Sequence, residues 1–361
     1  MVSFSDLSIL DLSSVLAGPS VASFFAELGA RVVKIENTKT GGDVTRSWKN
    51  SKESNEEIFS SYYAAANFGK EILMMDLSDM QQRKDLDRWL YTSDIVITNF
   101  KSGDEEKFRL TSADIHKINP TCIHAKIKGF TYDTSRIAYD VVLQAETGYM
   151  HMNGEKMPTK IPVALIDILA AHQLKQGILC GLLEKHHTGK GCIVSCSLED
   201  AGISGLVNQA SNYLMQGLDA ERMGSLHPNI APYGEVIRCA NETSVVLAVG
   251  SDKQFHALCR CIGMPDLADD IRFRINASRV ANRVLLQPII EEKMSNHHAE
   301  YWMQQFIECG VPAGEIKRIS QVLNSLAGKS MVMQHEISGN KMMSVKQIAF
   351  KIDSSSSTDL R

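Results

Sequence analysis

The sequence predicts an α/β protein: a large domain on a doubly wound parallel sheet, joined to a smaller α+β domain. Three observations carry that expectation. Short apolar runs alternate with amphipathic stretches through the N-terminal half, and strands separated by helices imply a parallel sheet covered on both faces. The 361 residues, 44% of them hydrophobic, suffice for about two domains, each with its own core. At residues 217–234 the composition turns rich in Gly, Pro and Asn, which marks a linker.

Taken in order, residues 8–12 (SILDL) form the first strand. Gly18 and Pro19 suit a tight turn into the helix of SVASFFAELGA, since proline is accepted at the start of a helix, and Gly29 is placed to end it. Residues 31–36 (RVVKIE), 72–77 (ILMMDL) and 95–100 (IVITNF) read as strands, with helical DMQQRKDLDRWLYTS before the last. Residues 112–119 look helical and 122–127 (CIHAKI) form the fifth strand. Residues 38–60 carry no strand signal and read as a polar loop with Gly41, Gly42, Asp43, Arg46 and Trp48; such a long loop is usually functional or mobile. A long apolar helix over 163–187, a sixth strand over 192–197 and a single helix over 198–216 complete a large domain of residues 1–216. The linker and small domain span 217–329, with strands GEVIRCAN and SVVLAVGS, helices over 252–264, 284–294 and 299–309, and a turn at 310–314. The last segment, 330–361, holds strand-like pieces with no sheet partner of their own, and its serine-rich tail 354–361 is expected to fray.

Charge and composition exclude several roles. Lys and Arg total 38 against 42 Asp and Glu, so the net charge of -4 gives no basic surplus for nucleic acid. No run approaches the roughly 18 apolar residues of a membrane span, and no basic stretch precedes an apolar one at the N-terminus. The eight cysteines lack paired metal-ligand spacing and read as free thiols in a reducing cytoplasm.

Few residues stand out for chemistry. The fingerprint G-x-G-x-x-G is absent from the first turn, so a nicotinamide oxidoreductase is disfavoured; the turn reads as an anion site or as plain structure. Asp167, in the otherwise apolar PVALIDILAAH, reads either as a first-turn helix acid or as a desolvated carboxylate serving as nucleophile or base. Asn99 and Phe100 end a strand at the carboxyl edge, where open α/β sheets bind ligands. Tyr139 and Asp140 open the helical segment VVLQAETGYM, where an aromatic ring is more often packing than catalysis. The pairs His186–His187 and His297–His298 have no carboxylate or cysteine at ligand spacing, so no metal site is expected.

Several segments together resemble the family III CoA-transferases, which share their fold with the α-methylacyl-CoA racemases. They include LDLSSVLAGPSVASFFAELGARVVKIE, GGDVTRSW, ANFGKEILMMDLSD, DIVITNFKSG, YDVVLQAETGYM, IPVALID, HPNIAPYG and GVPAGEI, in the family's order over nearly the whole chain. The resemblance implies a Rossmann-like large domain and an interlocked, ring-shaped homodimer. It implies CoA transfer from an acyl-CoA to a carboxylic acid, with no tightly bound cofactor and coenzyme A entering as the substrate thioester. It places the acylated carboxylate at Asp167 and the CoA cleft at Leu16, Ala17, Asn37, Met75, Asn99, Phe100, Lys101 and Lys107, with Tyr139 and Asp140 at the pantetheine end. Asn37, Ser78 and Ile137 stand where family members carry cations, so Lys39, Lys70 and Arg136 are the candidates to replace them. His227 and Tyr233 are expected to reach the site from the small domain. The racemases use a histidine where Tyr139 stands, and a tyrosine with a pKa of about 10 is a poor base for an α-proton. Transfer is therefore preferred over racemisation and over CoA binding without turnover. Donor and acceptor acids are not readable from the residues.

Overall fold

The computed structural model describes residues 4–352 other than Asn55, Thr134, Ser338 and Gly339; the tail 354–361 lies outside the described residues. Six strands, β1 (Ser8–Asp11), β2 (Arg31–Asn37), β3 (Glu71–Met75), β4 (Ile95–Thr98), β5 (Ile123–Lys128) and β6 (Ile193–Ser197), form one sheet. All pair in parallel, in the order β3-β2-β1-β4-β5-β6. The central strands are runs of Ile, Val and Leu because helices cover both faces: Leu10, Val33, Val96 and Ile97 are all but inaccessible.

The covering helices begin with α1 (Ala17–Glu27), α2 (Ser61–Ala66), α3 (Met80–Thr92), α4 (Asp104–Lys107) and α5 (Ser112–Ile118). They continue with α6 (Asp140–Glu146), α7 (Tyr149–Met152), α8 (Leu165–Thr188), α9 (Leu198–Ser204) and α10 (Val207–Gln216). Leu86 and Leu90 of α3 and Ile115 of α5 pack on one face of the sheet with Leu10, Val33 and Val96. Starts are marked by side-chain caps: Asp79 accepts from the Gln81 and Gln82 N–H groups, and Thr111 with Asp114 forms a capping box. Helix α8 lies close to β5 and β6 because Gly181 has no Cβ; one there would stand 2.9 Å from Cys192 Sγ.

Three expectations are corrected. The helix foreseen over 198–216 is two, broken beside Gly205 where Val207 takes a left-handed φ of 43°. The loop after β2 holds two short 3-10 turns, Thr38–Thr40 and Val44–Ser47, and is anchored by buried ion pairs. The strand-like pieces near the C-terminus do have partners: β10 (Val332–Ile337) and β11 (Asn340–Val345) pair with each other as an antiparallel hairpin.

The chain divides into two compact units. The first takes in the residues up to Tyr149, Lys160–Asp219 and the segment from Gly328 onward; there Met342 of β11 packs on Tyr63 and Ala64 of α2. The second unit comprises Met150–Thr159 and Ala220–Ala327. Its short first piece is tied by the Gly224 N–H donating to the Gly154 carbonyl (2.9 Å) and by Arg222 to the His151 carbonyl (2.7 Å). Strands β7 (Tyr233–Arg238), β8 (Ser244–Ala248) and β9 (Ala313–Glu315) form an antiparallel sheet in the order β7-β8-β9. Its core includes Val245, Leu247, Phe255, Leu258, Ile290, Trp302 and Phe306. Among the described residues no helix is long and apolar enough to cross a membrane.

Candidate active site

In the order β3-β2-β1-β4-β5-β6 the chain runs outward from β1 to one side and from β4 to the other, so the connections leaving these neighbours diverge at their carboxyl ends. That divergence opens a crevice at the topological switch point. Two adjoining hollows of about 620 and 540 Å³ occupy it, a size suited to an organic ligand. They share Ser14, Val15, Asn99, Phe100, Lys101 and Tyr139 as walls.

The turn after β1 is built from buried charge. Lys34 and Lys70, both fully buried, face Asp11 and Asp43: Lys70 lies 2.8 Å from Asp11, and Lys34 lies 3.1 Å from Asp43 and 3.9 Å from Asp11. Burial works against the Asp11 carboxylate, but the two ammonium groups outweigh it and hold its pKa below the ordinary value. Burial pulls Lys70 down to about 8, which still leaves the pair ionised at neutral pH. Beside them Glu36 accepts from Arg46 (2.6 Å) and from the Tyr63 hydroxyl (2.6 Å), which pins the loop after β2 to the sheet.

The second feature lies at the start of α8. Ala164, at the N-cap, supplies no side-chain bond. Asp140 takes that place from α6: one oxygen accepts the Ile166 N–H (2.8 Å), the other the Gln144 amide (2.7 Å). Asp167, in the first turn, is 7% exposed, and no described residue donates a hydrogen bond to its carboxylate. Burial, and then the Asp140 charge, pushes its pKa up to about 7. Tyr62 belongs to the same electrostatic neighbourhood: burial and the charges of Asp167, Asp140 and Asp43 push its hydroxyl up to about 12, so it stays a neutral donor. Its ring packs edge-on against Trp48, centroids 5.0 Å apart. Tyr62 went unread in the sequence; the signal available was the Ser60 cap opening a Tyr-Tyr helix straight after the polar loop.

The structure distributes the expected cleft residues unevenly. Asn37, Asn99, Phe100, Lys101, Lys107 and Tyr139 line the hollows. Leu16 and Ala17 do not; they begin α1, Ala17 is buried, and Ser14 and Val15 form the wall in their stead. Met75 is packed into the sheet core, and Leu77, beyond the strand end, reaches the hollow. Asp140 is engaged as the cap of α8. Of the replacement cations, Lys70 is inaccessible, Lys39 pairs with Asp76 (3.0 Å) and Arg136 with Glu146 (2.9 Å). His227 packs on Tyr233 within the second unit, ring centroids 5.3 Å apart. Among the described residues no group of His, Cys, Asp and Glu has a metal-holding arrangement.

Gly18 shows how tightly the turn is made. A Cβ there would stand 2.4 Å from Cβ and Oγ of Ser13. Gly18→Ala is expected to displace the turn and cost about 2 kcal/mol, as overpacking does; a denaturant midpoint unchanged from wild type would contradict this.

The first unit thus combines a ligand-sized crevice at the switch point of a doubly wound sheet, with Lys101 and Lys107 on its walls, and a buried carboxylate, Asp167, that is not among the residues lining either hollow. The chain belongs to CoA-transferase family III, whose model matches residues 4–360. It is 33% identical over 326 residues to the succinate–glutarate CoA-transferase of Agrobacterium fabrum, covering 88% of this chain and 81% of the relative. It is 30% identical to the human succinyl-CoA:glutarate CoA-transferase, over 92% of this chain and 77% of that one. Among solved structures, a CAIB/BAIF family protein from Brucella suis superimposes with a TM-score of 0.86 at 33% identity, over 97% of this chain and 93% of that one.

Proposed function

We propose that this CoA-transferase moves CoA from a short acyl-CoA to a free carboxylic acid, with Asp167 as the group that is acylated. The observation that carries the reading is the Asp167 carboxylate itself, buried, without a donor among the described residues and raised to a pKa of about 7. A carboxylate so poorly solvated is a stronger nucleophile than one in water.

The steps balance without an outside reagent. Asp167 attacks the thioester carbonyl; the C–S bond breaks, giving a mixed anhydride and CoA thiolate. The thiolate attacks the aspartyl carbonyl, forms an aspartyl-CoA thioester and releases the donor acid. The acceptor carboxylate then attacks that thioester, giving a second anhydride and thiolate. Attack of the thiolate on the acceptor's acyl carbon yields the new acyl-CoA and restores Asp167. Each tetrahedral intermediate carries an oxyanion, and the neutral Tyr62 hydroxyl is a donor suited to it. Lys101 and Lys107 on the rim suit the phosphates of CoA.

The similarity to succinate–glutarate transferases favours short dicarboxylic acids as donor and acceptor. Exposed apolar side chains of the first unit favour a second copy of the chain: Leu183 of α8 and Leu214 and Met215 of α10 are 64–80% exposed. An interlocked homodimer accounts for that surface.

The test is incubation with succinyl-CoA and a panel of mono- and dicarboxylic acids, with CoA esters read by mass spectrometry. New esters of glutarate or a similar diacid are expected. Exchange of an α-hydrogen with deuterated water and no new ester would mark a racemase; CoA binding with neither reaction would mark a binding protein.

A further inference from the structure

Three consecutive residues of the turn between β1 and α1 are held by side chains from three different elements. Lys34 of β2 donates to the Ser13 carbonyl (2.6 Å). Asn99, just beyond β4, clamps Ser14 from both sides: its Oδ1 accepts the Ser14 N–H (2.9 Å) and its Nδ2 donates to the Ser14 carbonyl (2.8 Å). Asp43, in the loop after β2, accepts the Val15 N–H (3.2 Å at Oδ2) and is fixed in turn by Lys34 and by the Thr45 N–H and hydroxyl.

What these bonds hold is a costly conformation. Val15 has φ = 72°, the left-handed region that a β-branched residue rarely occupies, because Cβ and its branches crowd the adjacent carbonyl. Such a backbone persists only when its surroundings over-determine it. Val15 is also a wall of both hollows, and the first turn of α1 that follows has no side-chain cap.

We propose that Asn99 and Asp43 are positioning residues for the acyl-CoA: they hold Ser14 and Val15 in the strained turn, which fixes the shared wall of the two hollows and the start of α1. Asn99, which the family resemblance places among direct CoA contacts, acts in this account through the backbone it grips. The proposal rests on the acyl-CoA lying in these hollows.

The experiment uses the full-length protein in two arms. Without ligand, amide hydrogen exchange is followed over residues 12–17. Asn99→Ala, which removes no buried charge, is expected to speed exchange at Ser14 and Val15 about tenfold or more, the worth of one buried hydrogen bond. Asp43→Asn, which has one acceptor oxygen where the aspartate uses two, is expected to act in the same direction. In the second arm CoA affinity is measured by calorimetry in an Asp167→Asn background, so that binding is read without turnover. Asn99→Ala is expected to weaken CoA about tenfold, and adding Val15→Gly is expected to restore much of the loss, because glycine takes a positive φ without strain. A lost direct contact would not be rescued by glycine at position 15. Unchanged exchange in Asn99→Ala, or an affinity loss that Val15→Gly leaves untouched, overturns the proposal. Failure of the parent protein to bind CoA would instead refute the transferase reading, and the exchange arm would still decide the clamp.

Discussion

Asp167→Asn is expected to abolish CoA transfer, lowering kcat by about 10⁴-fold or more, because the carboxylate that is first acylated and then carries CoA is gone. The same substitution is expected to stabilise the fold above neutral pH. Burial and the Asp140 charge raise the Asp167 pKa from 3.8 to about 7, so the folded state holds this proton more tightly than the unfolded chain. A group shifted upward contributes stability that is fully present below about pH 4 and is lost as pH rises through about 7. At pH 8 the wild type therefore carries an ionised carboxylate in a poorly solvated place, at a cost on the order of 4 kcal/mol. Asparagine has no charge to bury. The gap in melting temperature between Asp167→Asn and wild type should thus be small at pH 4 and wide at pH 8; an equal gap at both values would mean that the aspartate is not desolvated in the folded protein. Activity should run the opposite way, with wild-type kcat/KM rising toward an apparent pKa near 7 as the free carboxylate forms.

The trade-off explains why this residue is hard to judge from sequence. An aspartate in the first turn of an apolar helix is the ordinary pattern of a helix acid, and Asp167 does sit in that turn. What sets it apart is that Asp140, twenty-odd residues earlier in the chain, has already taken the capping place. That substitution depends on how α6 packs against α8, which no local pattern encodes. The sheet was far more legible. Its central strands are largely apolar runs because they are covered on both faces, and composition alone reports such burial. Loop 38–60 was legible as important but not as rigid, since its anchors, Glu36 with Arg46 and Lys34 with Asp43, join residues on separate elements. One signal was present and unread: Lys34 interrupts the buried run RVVKIE, and a lysine inside a covered strand must find a counter-charge. Lys70 gave no such hint, because it stands between Gly69 and Glu71 just before its strand, and only the folded chain brings it against Asp11.

That hidden pair supports the second large effect. Lys70→Met is expected to destabilise the protein by about 3–5 kcal/mol, the range for breaking a buried pair from one side. In the wild type Asp11, Lys34, Asp43 and Lys70 form a closed set of two positive and two negative charges, with the lysines and their partners fully buried. Removing one ammonium leaves a net negative charge inside. Lys34 cannot compensate, since it lies 3.1 Å from Asp43 but 3.9 Å from Asp11 and is committed to the Ser13 carbonyl. Asp11→Asn added to Lys70→Met returns the cluster to neutrality, so the double variant is expected to recover most of the lost stability. Denaturant melts of the two single variants and the double variant measure this as a cycle. Additive losses would show that Lys70 and Asp11 stabilise the fold independently.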